Sequence, residues 1–397
     1  MKDYVEIKGS KSEAQRVVLL ASVFGARIHR LPDCEDVQAA LRFAQAMGAV
    51  CTGDVWVPGG TASCKADVGA SATCLRMGIP LMLAVHGRAS LSYEKQLASR
   101  PLDTLFQFLE AQKVSVVRRP TQILCEGWLH AGDYQIKGGV SSQYLSGLLM
   151  ALAAKRAKSS ICFQDIPSFE YVRMTMDTLA AFGVEVRKKE NRLWINAENA
   201  HSAEFVISSD WSSVAPFIAA RALGHRVELR GEFRQNQPDC RFLDVLRQMG
   251  YAVQGINEIE PQELSPVQID CGLIPDIVPF IALVLTQVEG ESCLSQVGRL
   301  KYKECDRLHA TVQLLRRLGA DIRCDADNIY IRGRKTIWEG RALAQTYGDH
   351  RMVMLAAIAQ LNCKRRLTIQ DKMAVCKSYP DFWQDYEKIE VNHEYLG

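Results

Sequence analysis

Leu314-Leu-Arg-Arg-Leu-Gly-Ala-Asp-Ile322 reads as the end of an amphipathic helix, a glycine cap and the first residues of a strand. The same pattern occurs at Leu41–Val50 around Gly48, at Leu179–Val186 around Gly183 and at Val245–Val253 around Gly250. A degenerate copy, Leu105–Val116, carries Lys113 where the glycine would stand. The marker positions 48, 113, 183, 250 and 319 are 65, 70, 67 and 69 residues apart. Short strand candidates follow them, among them Val55-Trp56-Val57 and Ile329-Tyr330-Ile331. Helix–glycine–strand runs are common in α/β proteins, but this even spacing is not, and it indicates an internal repeat. A helix over Asp381–Ile389 fits as a last, truncated copy. Six copies predict an α/β protein of two domains with three repeats each, the boundary falling near Ser209-Asp210.

Composition narrows the function. A chain of 397 residues is too long for one core. Apolar residues make up 48% and charged residues 23%, as in ordinary globular proteins. A net charge of +3 is too small to point to nucleic acid, so anion binding must come from local clusters. No apolar run reaches the roughly eighteen residues of a membrane span, and the first residues lack the apolar core of a signal peptide, so a cytoplasmic location is expected. The 13 cysteines are scattered without a Cys-x-x-Cys pair, which argues for reduced thiols and against a disulfide frame or a zinc site.

The densest charge lies in Arg299-Leu-Lys-Tyr-Lys-Glu-Cys-Asp-Arg307, four cations and two carboxylates in nine residues. Helical spacing would turn Lys303 and Arg307 the same way, with Glu304 beside them. Such a cluster suits a polyanion and a proton transfer, or else is a charged helix start on the surface. Gly9-Ser10-Lys11-Ser12-Glu13-Ala14-Gln15-Arg16 precedes the apolar run Val17–Phe24, so Ser10 or Ser12 can cap a helix whose free amides favour an anion. It lacks the P-loop spacing, and a nucleotide is not indicated. Gly69-Ala-Ser-Ala-Thr-Cys-Leu-Arg76 is a run of small residues ending in a cation, and Gly138-Gly-Val-Ser-Ser-Gln143 opens the apolar run Tyr144–Ala154. Each, standing alone, reads as an ordinary loop and cap before it reads as an anion-binding helix start. Asp276, alone in an apolar run, is either a helix cap or a desolvated carboxylate of raised proton affinity. Gly348-Asp-His-Arg351 and Lys377-Ser-Tyr-Pro380 complete the polar interruptions.

Five of these signatures together resemble the EPSP synthase family, in that family's order and over nearly the whole chain. They are Gly-Ser-Lys-Ser-x-x-x-Arg at 9–16, Ser-Ser-Gln at 141–143, Lys-Glu-x-Asp-Arg at 303–307, Asp-His-Arg at 349–351 and Lys-Ser-Tyr-Pro-Asp at 377–381. The resemblance implies a two-lobed inside-out α/β barrel, each lobe built of three βαβαββ repeats, with the active site in the cleft between lobes. The first lobe would be residues 10–209, and the second 1–9 plus 210–397. It further implies transfer of the enolpyruvyl group of phosphoenolpyruvate to the 5-hydroxyl of shikimate 3-phosphate, with release of phosphate. The route is addition followed by elimination, with no metal or other cofactor. Small-molecule substrates, no nucleic acid, no membrane and a monomer go with it.

By position, the resemblance assigns Lys11, Ser12, Arg16, Ser141, Ser142, Gln143, Ser168, Tyr171, Asp276 and Lys303 to shikimate 3-phosphate. Lys11, Ala72, Arg100, Gln143, Arg307, Arg351 and Lys377 go to phosphoenolpyruvate. Asp276, Glu304 and Lys11 are the implied catalytic groups. The family's Asn-Ala-Gly-Thr loop reads Ala70-Ser-Ala-Thr73 here, so a polar contact is lost at Ala70 and a methyl is gained at Ala72, where the inhibitor glyphosate would pack. Arg299 stands where the family often has Asn or His. Two alternatives stay open: a sister transferase acting on UDP-N-acetylglucosamine, and a catalytically inactive ligand-binding relative. Against the first, no cysteine occurs between Cys74 and Cys125, where that family's loop cysteine would lie.

Overall fold

The computed structural model describes residues 4–136, 141–164, 166, 168–340 and 342–392. The chain divides into two compact units, one formed by Gly9–Ser208 and the other by Met1–Lys8 with Ser209–Gly397.

The Gly9–Ser208 unit holds three four-stranded sheets of one design. In the first complete copy, strand Lys65–Asp67 runs parallel to Arg88–Ser92, across helix Ala72–His86. Helix Asp103–Ala111 then leads into the hairpin Ser115–Arg119 and Gln122–Glu126, whose second strand pairs antiparallel with Arg88–Ser92. Asp133–Ile136, helix Ser142–Ala154, Lys158–Phe163, helix Glu170–Ala181 and the hairpin Glu185–Lys189/Arg192–Asn196 repeat this order. The remaining sheet takes its first strand from the far end of the unit. Ala203–Val206 lies parallel to Ala26–His29, followed by Val55–Val57 and Val50–Thr52, with helices Lys11–Phe24 and Glu35–Ala46.

The second unit uses the same order. Gln268–Asp270, helix Val278–Leu285, Gly290–Ser295, helix Arg307–Leu318 and the hairpin Asp321–Cys324/Ile329–Gly333 form a complete copy. Strand Tyr4–Glu6 runs parallel to Glu228–Arg230 around helix Trp211–Ala222, followed by helix Phe242–Gln248 and the hairpin Tyr251–Gly255/Glu258–Pro261. A shortened copy pairs Leu343–Ala344 with Thr368–Ile369 around helix His350–Gln360 and ends in the short helix Phe382–Tyr386.

Helix character follows position in the repeat. The helix between the parallel strands is apolar nearly all round and therefore buried: Tyr144 to Ala153 and Val278 to Leu285 are buried without a break. These helices pack on one another, three in each unit. The helix before each hairpin is amphipathic; Arg307–Leu318 buries Leu308, Val312 and Leu315 and leaves Arg316 and Arg317 on its polar side. It ends at a left-handed residue, and the five markers share that conformation, with φ of 91° at Gly48, 64° at Lys113, 74° at Gly183, 92° at Gly250 and 107° at Gly319. Lys113 adopts it at a cost of about 1 kcal/mol because the turn into the hairpin demands it. Gly147 sets a close approach, since a Cβ there would lie 2.8 Å from Met77 Cα on the neighbouring buried helix.

This packing brings the N-termini of the buried helices together within each unit. In the first unit the caps are Ser10, Ser71 and Ser141. In the second, Asp210 and Asp349 cap two of the three.

Candidate active site

In the Gly9–Ser208 unit, the caps are neutral hydroxyls. Ser10 Oγ accepts from Glu13 N at 3.4 Å, Ser71 Oγ from Cys74 N at 3.3 Å and Ser141 Oγ from Gln143 N at 3.3 Å. The positive helix ends therefore keep their pull on an anion. Gln15 ties two of them together, donating from Nε2 to Ser71 Oγ at 2.7 Å and to the Asp36 carbonyl at 2.9 Å. Lys11 Nζ lies 2.7 Å from Asp36 Oδ2. Arg16 is buried, and donates to Thr175 Oγ1 at 2.8 Å, Ser12 O at 2.6 Å and Tyr171 O at 3.0 Å. No carboxylate forms an ion pair with it among the described residues, and burial lowers its pKa to about 10. A buried cation without a bonded counter-ion suits an anionic ligand.

The other two helix starts interlock. Gln143 donates to Thr73 Oγ1 at 2.8 Å and accepts from Arg76 Nη1 at 2.9 Å. Arg76 Nη2 donates to Pro101 O at 3.0 Å, and Tyr144 hydroxyl also donates to that carbonyl, which fastens the Arg100-Pro101 segment beside them. Ala72 and Ser142 are the first residues of their helices, and both are buried. Ser168 has a left-handed φ of 55° and accepts from Tyr171 N at 3.1 Å. Gly138, Gly139 and Val140 of the glycine-rich motif lie outside the described residues.

The second unit centres on Arg307, which is fully buried. It reaches Asp276 Oδ1 at 2.8 Å, Glu304 Oε2 at 2.6 Å, and Asp349 at 3.0 Å from Nε and 3.1 Å from Nη2. Four of its five N–H groups are thereby used. Lys303 Nζ lies 3.0 Å from Asp276 Oδ1, and Lys377 Nζ 3.4 Å from Glu304 Oε1. Arg351 donates through Nη1 to the Ser212 carbonyl, and its backbone N–H to Asp349 Oδ1 at 2.8 Å. Burial pushes the Asp276 carboxyl up, but Lys303, Arg307 and Arg351 outweigh it and hold Asp276 well below the usual carboxylate range. Burial lowers the Lys303 ammonium against the pull of Asp276. The surrounding carboxylates, led by Asp349, outweigh burial and raise Arg307.

Several expectations need correction. Lys303 and Glu304 are not on a helix with Arg307. The helix starts at Arg307 because the Asp306 side chain caps it, accepting from His309 N at 3.1 Å. Arg307 is not part of a charged surface, since three carboxylates neutralise it inside. Asp276 is neither a cap nor a carboxyl of raised proton affinity: Ile277 stands at the start of helix Val278–Leu285, and the neighbouring cations keep Asp276 ionised. Arg299 donates to the Gly272 carbonyl at 2.6 Å.

The partners of these groups carry little signal in the sequence. Asp36, Thr175 and Asp239 belong to none of the sequence motifs, and Asp349 stands in one with no role that its neighbours in the sequence reveal. An acidic first turn, Glu35-Asp36, was the only signal for the first; Asp349 was marked by its place directly before a buried helix.

Solved structures with this fold include an EPSP synthase from Acinetobacter baumannii, with TM-score 0.80 and 20% identity over 98% of this chain and 96% of that one. Another is an enolpyruvyl transferase from Streptomyces tendae, with TM-score 0.70 and 17% identity over 98% and 95%. The fold is thus that of the enolpyruvyl transferases. Residues 1–386 match EPSP synthase (3-phosphoshikimate 1-carboxyvinyltransferase), and the chain belongs to that family. Relatives named 3-phosphoshikimate 1-carboxyvinyltransferase include one from Clostridium perfringens (strain ATCC 13124), 30% identical over 98% of this chain and 96% of its own. One from Clostridium novyi (strain NT) is 33% identical over 81% and 76%.

Proposed function

We propose that this chain transfers the enolpyruvyl group of phosphoenolpyruvate to the 5-hydroxyl of shikimate 3-phosphate and releases phosphate. The observation that carries the reading is the family match over residues 1–386, together with two cation sets built on buried helix starts. In this reading Lys11, Ser12, Arg16, Ser141, Ser142, Gln143, Ser168, Tyr171, Asp276 and Lys303 hold shikimate 3-phosphate. Lys11, Ala72, Arg100, Gln143, Arg307, Arg351 and Lys377 hold phosphoenolpyruvate. The two units are taken as lobes of three repeats each, in a monomeric cytoplasmic enzyme.

The 5-hydroxyl oxygen adds to C2 of phosphoenolpyruvate while a proton reaches C3. Elimination then removes a C3 proton and the phosphate. Asp276, ionised beside Lys303 and Arg307, is in the form that accepts the hydroxyl proton. In this reading Glu304, bonded to Arg307 and 3.4 Å from Lys377 Nζ, exchanges the proton at C3. Lys11, anchored on Asp36, balances charge on both substrates. Phosphate release from phosphoenolpyruvate, assayed with shikimate 3-phosphate and with UDP-N-acetylglucosamine, tests the reading. Turnover with the first alone is expected; turnover with the second, or with neither, overturns it. Asp276→Ala and Glu304→Ala should each lower kcat by about 10²–10⁴.

A further inference from the structure

We infer that Asp239 is a positioning residue for Arg351, acting through Ser212, and that its charge tunes how strongly that guanidinium takes an anion. The inference rests on the reading that Arg351 binds phosphoenolpyruvate.

Asp239 lies in the 3-10 turn Pro238–Arg241, and its side chain is buried. Its Oδ2 accepts from the Ser212 hydroxyl, while its Oδ1 is buried without a hydrogen-bond partner among the described residues. Ser212 belongs to the first turn of helix Trp211–Ala222, and its carbonyl receives Arg351 Nη1. Gln237 fixes the same turn to that helix, accepting from Trp211 N at 3.0 Å and donating to Ser209 O at 2.7 Å. One side chain thus braces the carbonyl that aims Arg351. Arg351 in turn keeps its Nε–H buried without a partner among the described residues. A buried donor of that kind is costly unless a ligand satisfies it.

The charges around Asp239 are opposed. Burial first, then Asp276 and last Asp210 push its proton affinity up, while the Ser212 hydrogen bond and Arg351 pull it down; the Cys240 thiol is its chain neighbour. The balance leaves the carboxyl at about 7. Protonated, it leaves the charge of Arg351 for an incoming anion. Ionised, it competes with that anion, while the Ser212 hydrogen bond persists in either form.

Two arms separate bracing from charge. Asp239→Ala and Ser212→Ala remove the brace, and should raise the KM for phosphoenolpyruvate about tenfold while kcat and the KM for shikimate 3-phosphate stay within about twofold. Asp239→Asn keeps an acceptor for Ser212, and should restore the parent's low-pH KM. It should also lose the rise in KM for phosphoenolpyruvate that the parent shows between about pH 6 and 8. Equal effects on both substrates, or an Asp239→Asn profile that still rises like the parent's, would overturn the inference. Arg351→Lys is the reference: if it leaves the KM for phosphoenolpyruvate unchanged, the assignment of Arg351 fails. If it raises that KM while Asp239→Ala and Ser212→Ala do not, the inference alone fails.

Discussion

At the scale of single residues, buried charges in this molecule are compensated to very different degrees. Arg307 is compensated three times over, so its removal leaves the buried Asp349 and the half-buried Asp276 and Glu304 without their shared cation. Arg307→Ala should cost about 3–5 kcal/mol, read as a large loss of thermal stability as well as of activity. Asp239 is the opposite case. Its carboxyl, raised to about 7 by burial first and by Asp276 second, binds a proton in the folded chain that the unfolded chain has already released. Stability from this group is therefore full below the unfolded value near pH 4, and is lost as pH rises through about 7. Denaturation of the parent and of Asp239→Asn at pH 5 and pH 8 checks the sign: the variant should lose less stability across that interval. At Ala72, buried at the first position of its helix, the extra methyl should discriminate against glyphosate more than against phosphoenolpyruvate. Ala72→Gly should then be inhibited more strongly than the parent at matched phosphoenolpyruvate.

At the scale of elements, the site is aimed by helix starts, and those starts depend on how closely the buried helices approach. Gly147 shows it most clearly, because an added Cβ meets backbone, Met77 Cα at 2.8 Å and Arg76 O at 3.0 Å, with no flexible side-chain end to give way. Gly147→Ala should destabilise by about 1–3 kcal/mol and disturb the Gln143–Arg76 bond, raising the KM for phosphoenolpyruvate; calorimetry with steady-state kinetics measures both. Much at this scale was legible in the sequence. A serine cap was legible before each apolar run, as Ser10 or Ser12 in the first and within Ser141-Ser142 in the other, and even spacing put Lys113 at the position of the capping glycine. What was not legible depended on competing or distant partners. Asp306 captured the start of its helix and so broke the helical spacing read across Lys303, Glu304 and Arg307. The first turn after Ser10 reads as polar, yet Glu13 and Gln15 pack inside. Glu13 is held by Ser208, 195 positions away. Asp239 gave no signal, since its role arises only when its turn meets Ser212, 27 positions away.

At the scale of the whole molecule, each unit has its own apolar core, one around Leu19, Leu83 and Leu148 and the other around Phe217, Ile281 and Leu355. Two such cores can melt as separate cooperative transitions. The residues assigned to shikimate 3-phosphate occur in both: Lys11, Arg16 and Ser141 in one, Asp276 and Lys303 in the other. Under the proposed assignment the ligand draws on residues of both, and its binding free energy then adds to the stability of both. At a hundredfold excess over its Kd the gain is about 2.7 kcal/mol. Calorimetry with saturating shikimate 3-phosphate should therefore move the transitions of both units upward, or merge them into one. Arg16→Ala and Lys303→Ala change partners on different units, yet each should reduce the shift throughout the molecule. A shift confined to one unit, in the parent, would mean that the ligand is held there alone and that half of the assigned residues have another task.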